Sequence, residues 1–504
     1  MNATPPTYAF WTRTDRDTVA LIDPDGAQRT VGQVQDGANR LAHALRAAGV
    51  QKGDVVAYCM HNSAAVFELV LATSQIGVYY TPINWHLTPH EIRYILKDSG
   101  ARVVIASADL AEACAGTPAE VWALGADGQP NLPGFKALPT DPPEDRAAGG
   151  VMTYTSGTTG SPKGVKRPLP PAPPEPVASA FAMFLFIYGM RGGEGVHIVT
   201  SPLYHTAVVY FASCCLHLGQ QVVIMEKFTA EGMLERIERY RVSNSHMVPT
   251  QLVRLLEVQG KERYDVSSLR HMIHGAAPCP AWVKRAMLEW WGPVLYEYYA
   301  ASEGGGTVVS SQEWLARPGT VGKPWPTADV KILSDGGDEL APGEVGTVWI
   351  KMAQPFEYHG DQDKTRRAWR GDGYFTVGDA GYKDADGYLY LCDRKADLII
   401  SGGVNIYPAE VEAVLIEHPR VRDVAVFGIP DDAWGEQVKA VVEVSGDVEP
   451  DLEASLLGWA SERLAKFKRP RSIDFTDALP RDPNGKLKKR SLRDPYWEGR
   501  GGQI

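Results

Sequence analysis

The spacing of apolar residues changes repeatedly over positions 31–105. Over 33–48 they recur on one helical face, Val55–Cys59 is a short unbroken apolar run, Ala64–Gln75 is helical again, and 103–105 is a second apolar run. Helix and strand in alternation each need an apolar face covered by the other, so this rhythm predicts α/β layers. No fixed-period repeat is visible. Residues 167–176, RPLPPAPPEP, hold six prolines and predict a stiff surface connector, since proline removes a backbone donor and breaks regular helix and inner strand. The most apolar runs are 180–190 and 208–225. The first is too short to span a bilayer and the second is interrupted by His217, Gly219, Gln220 and Gln221, so both predict core and no integral membrane contact.

Beyond Asp379, two turn-rich pieces, 383–387 and 393–397, flank the strand-like run 388–391, and a domain boundary is expected there. Pro408 then opens a helix with Val411, Val414 and Leu415 at helical spacing. Strands are predicted at 424–429, 438–444 and 473–475, and a helix at 452–465. A chain of 504 residues exceeds one hydrophobic core. The predicted fold class is mixed α/β: a large multi-layer N-terminal domain of sheets flanked by helices over 1–393, and a small α/β domain over 394–504.

An apolar fraction of 44% and a charged fraction of 22% are those of a soluble globular protein. The net charge of −10 argues against nucleic acid as partner, because displacing its counterions takes a basic surface. Cys59, Cys114, Cys214, Cys215, Cys279 and Cys392 form no C-x-x-C pair and no metal-like spacing with histidine, which predicts a reducing compartment. The N-terminal stretch MNATPPTYAFWTRTDRD lacks a basic segment followed by an apolar one, so a cytoplasmic location is expected.

The densest chemistry lies at 153–164, TYTSGTTGSPKG. Glycines let successive N–H groups curl around one concavity and hydroxyls add donors, a combination suited to a polyphosphate. It is not the common P-loop, because Lys163 is followed by Gly164 and not by Ser or Thr. The segment YTSGTTGSPKGV resembles one of the most specific signatures of the adenylate-forming enzymes, which include acyl-CoA synthetases, luciferases and peptide-synthetase adenylation domains. That resemblance extends over nearly the whole chain, with later motifs in the same order. It implies ATP contacts from Thr155, Ser156, Gly157, Thr158, Thr159, Gly160 and Lys163.

Residues 298–306, YYAASEGGG, place an acid beside a hydroxyl ahead of three glycines, a plausible magnesium and phosphate site. The resemblance implies that Glu303 holds Mg²⁺, Ser302 replaces the family's threonine and Tyr299 stacks on adenine; Ala300 departs from the usual glycine. Residues 274–278, HGAAP, resemble the adenine-side loop, with Gly275, Ala276 and Ala277 small enough for a flat ring, and read equally as a tight turn. In 374–379, YFTVGD, Asp379 is expected as an exposed carboxylate at a strand end taking the ribose hydroxyls, with Val377 where the family has threonine. The stretch DRKADLIISGGVNIYPAEVE is a second specific match. It implies Arg394 at the ribose and phosphate, a hinge at Ala396 where the family has Asp or Lys, and Gly402 and Gly403 along the pantetheine channel. In 479–486, LPRDPNGK, a turn presents one lysine at its tip, and the resemblance implies that Lys486 is the catalytic lysine of a mobile small domain.

Attack of a carboxylate on the α-phosphate brings two anions together, so catalysis is chiefly electrostatic. The resemblance implies an acyl-adenylate formed from ATP with Mg²⁺, then thioester formation with coenzyme A. Residues 201–216, SPLYHTAVVYFASCCL, resemble the acyl-pocket wall and contain no Asp or Glu to pair an amine, so an apolar acid is expected, whether aliphatic, aryl or steroid-like. His205, Val209 and Gly304 are the pocket candidates, and His205 reads equally as a polar gate or a bonded core histidine. Carrier-protein loading, a light-emitting oxygenase and an inactive nucleotide-binding scaffold are the alternative functions, and a homodimer is an allowed assembly.

Overall fold

The computed structural model describes residues 7–155, 162–193, 195–394, 397–401, 404–431, 434–481 and 487–498. Local chemistry starts its elements. Thr30 caps the helix Val31–Ala47, its hydroxyl accepting from the Gln33 amide at 3.2 Å while the Gln33 side chain accepts from the Thr30 amide at 2.9 Å. Thr88 and Glu91 repeat this reciprocal cap on Pro89–Asp98, where the proline sits in the first turn and its missing donor costs nothing.

Among the described residues the strands gather into four sheets. The largest runs Lys323–Pro324, Gly304–Ser310, Leu295–Ala301, His271–His274, Asn244–Met247, Val196–Val199, Gln221–Ile224, Val19–Ile22 and Gln28–Thr30. From Leu295–Ala301 to Val19–Ile22 every pairing is parallel. The second runs Glu357–Tyr358, Lys163–Lys166, Gly150–Thr155, Tyr79–Pro82, Val55–Cys59, Val103–Ala106 and Glu120–Ala123. Parallel strands expose their apolar residues on both faces and need cover on each. Between these sheets the helices Val31–Ala47, Ala64–Gln75 and Thr206–His217 supply it, through Leu41, Leu45, Phe67, Val70, Phe211 and Ala212.

A third sheet orders Ala328–Leu333, Gly346–Met352, Asp379–Lys383 and Leu389–Arg394, with Tyr374–Phe375 beside Gly346–Met352. The fourth orders Val404–Ile406, Ile399–Ser401, Gly435–Val444 and Val421–Asp431, with Ser472–Thr476 parallel to Gly435–Val444. Pro408–Leu415 and Leu452–Arg463 contribute to a core of its own that includes Ile399, Val411, Leu415, Val426, Val442, Leu456 and Ala460. The fold is therefore a large N-terminal α/β domain and a smaller C-terminal one.

The proline-rich segment departs from expectation in two ways. Its last three residues form the first turn of the helix Pro174–Met183, because helix N-termini tolerate proline. Its first residue, Arg167, is not a solvated loop charge: its guanidinium packs on the turn between two strands of the largest sheet. In the apolar run 180–190, Phe181 and Met183 stand 45% and 41% exposed, so only part of that segment is core. The predicted helix 452–465 ends two residues early, where Leu464 turns extended. No helix among the described residues is long and apolar enough to cross a membrane.

One half-buried acid makes stability depend on pH. Glu68, on Ala64–Gln75, lies so close under Gly37 that a Cβ there would stand 2.5 Å from the carboxylate. Burial, chiefly, pushes its carboxyl from about 4.5 up to about 8, with Asp23 and Asp127 adding to the rise and Arg29 and Arg40 opposing it. A raised folded-state value means that its contribution is intact below about pH 4.5 and lost as pH climbs through about 8. Glu68→Gln should therefore gain about 1–3 kcal/mol relative to wild type at pH 9 over its effect at pH 5. Thermal melts at the two pH values check this, and equal shifts at both would rule it out.

Candidate active site

The two strands that bracket the phosphate loop pair antiparallel, with Thr155 opposite Lys163. Ser156, Gly157, Thr158, Thr159 and Gly160 lie outside the described residues, but what holds the loop's ends is clear. The Tyr154 hydroxyl donates to Asp98 at 2.7 Å and the Tyr94 hydroxyl to the Pro162 carbonyl at 3.1 Å, so the helix Pro89–Asp98 grips both arms. Thr153 and Thr206 hydroxyls lie 2.8 Å apart, tying the loop's first strand to the helix expected to wall the acyl pocket.

Glu303 stands at the tip of the hairpin formed by Leu295–Ala301 and Gly304–Ser310. It is 8% exposed, beside an exposed Ser302. Its Oε1 accepts from the Tyr358 hydroxyl at 2.7 Å, and Tyr358 pairs in strand register with Val165. Burial, then the Glu303 charge and hydrogen bond, push the Tyr358 phenol well above its ordinary range, so it stays a donor. The Tyr358 ring also carries the Lys364 ammonium at 4.0 Å from its centre.

Close packing explains the glycine run after Glu303. A Cβ at Gly304 would lie 2.4 Å from Met352 Sδ, one at Gly305 2.4 Å from Ile350 Cγ2, and one at Gly306 2.2 Å from the Tyr299 carbonyl. Gly304 and Gly305 also take positive φ values of 114° and 68°. The hairpin thus lies directly on the strand Gly346–Met352. Arg167 holds its turn from the other side, donating from Nη2 to the Ser302 and Glu303 carbonyls at 3.3 and 2.6 Å.

Asp379 differs from expectation. It is half-buried at the start of Asp379–Lys383, its backbone opposite Arg394, and its Oδ2 accepts from the Tyr299 hydroxyl at 2.6 Å. The Arg394 side chain lies outside the description. Gly275 follows the strand His271–His274, where a Cβ would meet the Tyr298 ring at 2.6 Å. Ala276 is exposed with φ of 67°, a left-handed conformation that L side chains rarely adopt, and Ala277 is half-buried. His205 precedes Thr206–His217 with its ring 4.2 Å from that of Tyr204. Val209, on that helix, is wholly buried in the layer between the two large sheets.

Ala396, Gly402, Gly403 and Lys486 lie outside the described residues. Glu91 on Pro89–Asp98 is held below its usual range mainly by Thr88, and Lys488 adds to that lowering. Among the described residues no cluster of three or more His, Cys, Asp or Glu could cage a metal. The single carboxylate of Glu303 suits Mg²⁺, which commonly takes one or two protein carboxylates and fills its shell with phosphate oxygens and water.

Two site residues escaped the sequence reading. Arg167 was hidden in the proline tract, where a cation directly after the phosphate loop was the available signal. Tyr358 had none, because only strand pairing brings it to Glu303.

Fold and site define a nucleotide-binding enzyme of two α/β domains, and comparison with known proteins gives the class. The profile described as AMP-binding enzyme matches residues 9–357, and that described as AMP-binding enzyme C-terminal domain matches 410–486. The fatty acid–[acyl-carrier-protein] ligase ScoC of Streptomyces coeruleorubidus is 33% identical, covering 97% of this chain and 96% of its own length. The long-chain-fatty-acid–CoA ligase FadD13 of Mycobacterium tuberculosis is 34% identical over 96% of this chain and 98% of its own. ATP-bound MatB from Rhodopseudomonas palustris superposes with a TM-score of 0.86 at 30% identity, covering 98% of this chain and 99% of that one. The chain belongs to the AMP-binding enzymes of the adenylate-forming superfamily, and by class it is an acid–thiol ligase.

The glycine geometry gives a paired test. Gly306→Ala should destabilise by more than about 2 kcal/mol, because a backbone oxygen cannot move aside. Gly458→Ala, in the helix Leu452–Arg463 with nothing within 4 Å, should stabilise by about 0.5–1 kcal/mol. Urea unfolding of both variants reads the signs, and like signs would contradict the packing described.

Proposed function

We propose that this protein is an AMP-forming acyl-CoA synthetase: it activates an apolar carboxylic acid as its adenylate, releases pyrophosphate, and passes the acyl group to the thiol of coenzyme A. One observation carries the reading. The only side-chain bond described for the Glu303 carboxylate comes from Tyr358, which is paired two residues along from Lys163, so the acid and the phosphate loop share one support.

In this reading Thr155, the loop 156–160 and Lys163 bind the ATP phosphates. Glu303, beside Ser302, would hold a Mg²⁺, which would supply charge neutralisation at the phosphates. Gly275, Ala276 and Ala277 take the adenine with the Tyr299 ring, whose hydroxyl also braces Asp379 toward the ribose; Arg394 joins it there. Lys486, from the small domain, offsets charge at the α-phosphate. The carboxylate then attacks phosphorus, the new O–P bond forms, and pyrophosphate leaves with the electrons of the bond that breaks. The mixed anhydride needs only an oriented thiol.

We place the domain boundary between 393 and 394 and the hinge at Ala396. The strand Leu389–Arg394 belongs to the third sheet and Ile399–Ser401 to the fourth, so the change of sheet falls between 394 and 399, which supports a hinge near Ala396 and sets Arg394 with the large domain. Gly402 and Gly403 would then line the thiol's path after rotation. His205, Val209 and Gly304 would border the acyl group. None of the six cysteines forms a disulfide and four are buried, in keeping with a cytoplasmic setting. The likeness to ScoC supports a second acceptor, the phosphopantetheine of a carrier protein.

Acid-dependent exchange of labelled pyrophosphate into ATP tests the first half, and no exchange with hexanoate, benzoate or a steroid acid would refute it. Lys486→Ala should lower that exchange by about 10²- to 10³-fold with the fold intact. Thioester formation on free coenzyme A against a purified carrier protein separates the two acceptors.

A further inference from the structure

Arg167 has no place in the roles above, yet its surroundings are those of a ligand-binding cation. Its backbone is fixed where Lys163–Lys166 ends, the carbonyl accepting from the Tyr79 hydroxyl at 2.6 Å. The side chain runs to the Glu303 hairpin, and its Nη2 would lie 2.6 Å from a Cβ at Gly304, beside Met352 Sδ at 2.4 Å. Burial weighs against its charge, and the Glu303 carboxylate nearby favours it. The guanidinium thus stands beside the acid that would hold the metal and against Gly304, one of the residues proposed to border the acyl group.

Its hydrogen bonding is incomplete. Nη2 serves two main-chain carbonyls, while Nε is buried with no partner among the described residues. The bond to Glu303 goes to the main-chain oxygen, and the Glu303 carboxylate accepts instead from Tyr358. A half-buried cation bonded only to neutral oxygens is costly, and its unpartnered Nε–H suits a charge-assisted bond to a carboxylate.

We propose that the Arg167 guanidinium binds the carboxylate of the acid substrate and holds it for attack on the α-phosphate, an inference that rests on the adenylating reading above. Bringing that carboxylate to the phosphates sets two anions side by side, and Arg167 offsets one of them. It transfers no proton. One carboxylate oxygen forms the bond to phosphorus while the other stays on the guanidinium, which later faces the adenylate's carbonyl oxygen. A lysine would be a poorer substitute, being a more strongly hydrated point charge without the planar fork.

The test compares full-length wild type, Arg167→Met and Arg167→Lys in pyrophosphate exchange, using whichever of hexanoate, benzoate or a steroid acid the wild type turns over. Arg167→Met should raise KM for the acid about 10- to 150-fold and leave KM for ATP unchanged, and Arg167→Lys should recover part of the loss. Calorimetric titration with ATP in the absence of acid shows that each variant is folded and still binds nucleotide. An unchanged KM for the acid with a lowered melting temperature would reduce Arg167 to a brace for the hairpin and overturn the proposal. An equal rise in both KM values would assign the guanidinium to nucleotide phosphate and overturn it as well. A wild type that exchanges with no acid would defeat the ligase reading itself, an outcome distinct from either.

Discussion

The bond between Tyr358 and Glu303 joins two pieces of structure that share no strand pairing. Glu303 rides on a hairpin at one end of the nine-stranded sheet, and Tyr358 extends the seven-stranded sheet that carries the phosphate loop. A buried carboxylate needs a donor, and a phenol kept protonated by burial and by that same negative charge is a dependable one. Tyr358 supplies this at one carboxylate oxygen and leaves the other for a ligand. Distance between the acid and the loop is then set by side-chain length and strand register, both stiff quantities.

Other contacts reinforce the same junction. Glycines at 304, 305 and 306 let the hairpin lie against Ile350, Met352 and the Tyr299 carbonyl, with no room for a single added carbon. Thr153 and Thr206 tie the loop strand to the helix Thr206–His217, while Tyr154 and Tyr94 tie both arms to Pro89–Asp98. Catalysis that depends on preorganised charge needs this rigidity, because a donor that must reorganise during reaction gives back what it contributes. The small domain has its own core, independent of these ties, as the proposed rotation would require.

Much of the fold was legible. Val55–Cys59 and Ala64–Gln75 appear where the apolar period placed them, and Val31–Ala47 and Gly435–Val444 differ only at their ends. Runs of period two and 3.6 survive folding because the face they define must be covered whatever the topology. The proline tract failed because composition cannot tell a connector from a helix start, and proline suits both. Asp379 was expected exposed at a strand end, and it instead opens a strand half-buried against Tyr299, since the partner that covers it lies 80 positions away.

The sequence by itself determined the chemistry available: hydroxyls and glycines suited to phosphates, an acid before three glycines, a lysine directly after Asp-Pro-Asn-Gly, and no acid over 201–216. It also determined the alternation of elements and the division into two α/β parts. Tertiary structure alone decided which groups meet. Tyr358 reaches Glu303 and Arg167 reaches the Glu303 turn through contacts 55 and 136 residues apart along the chain. Local periodicity records which face of an element is buried, but carries no information about which distant strand will come to lie against it.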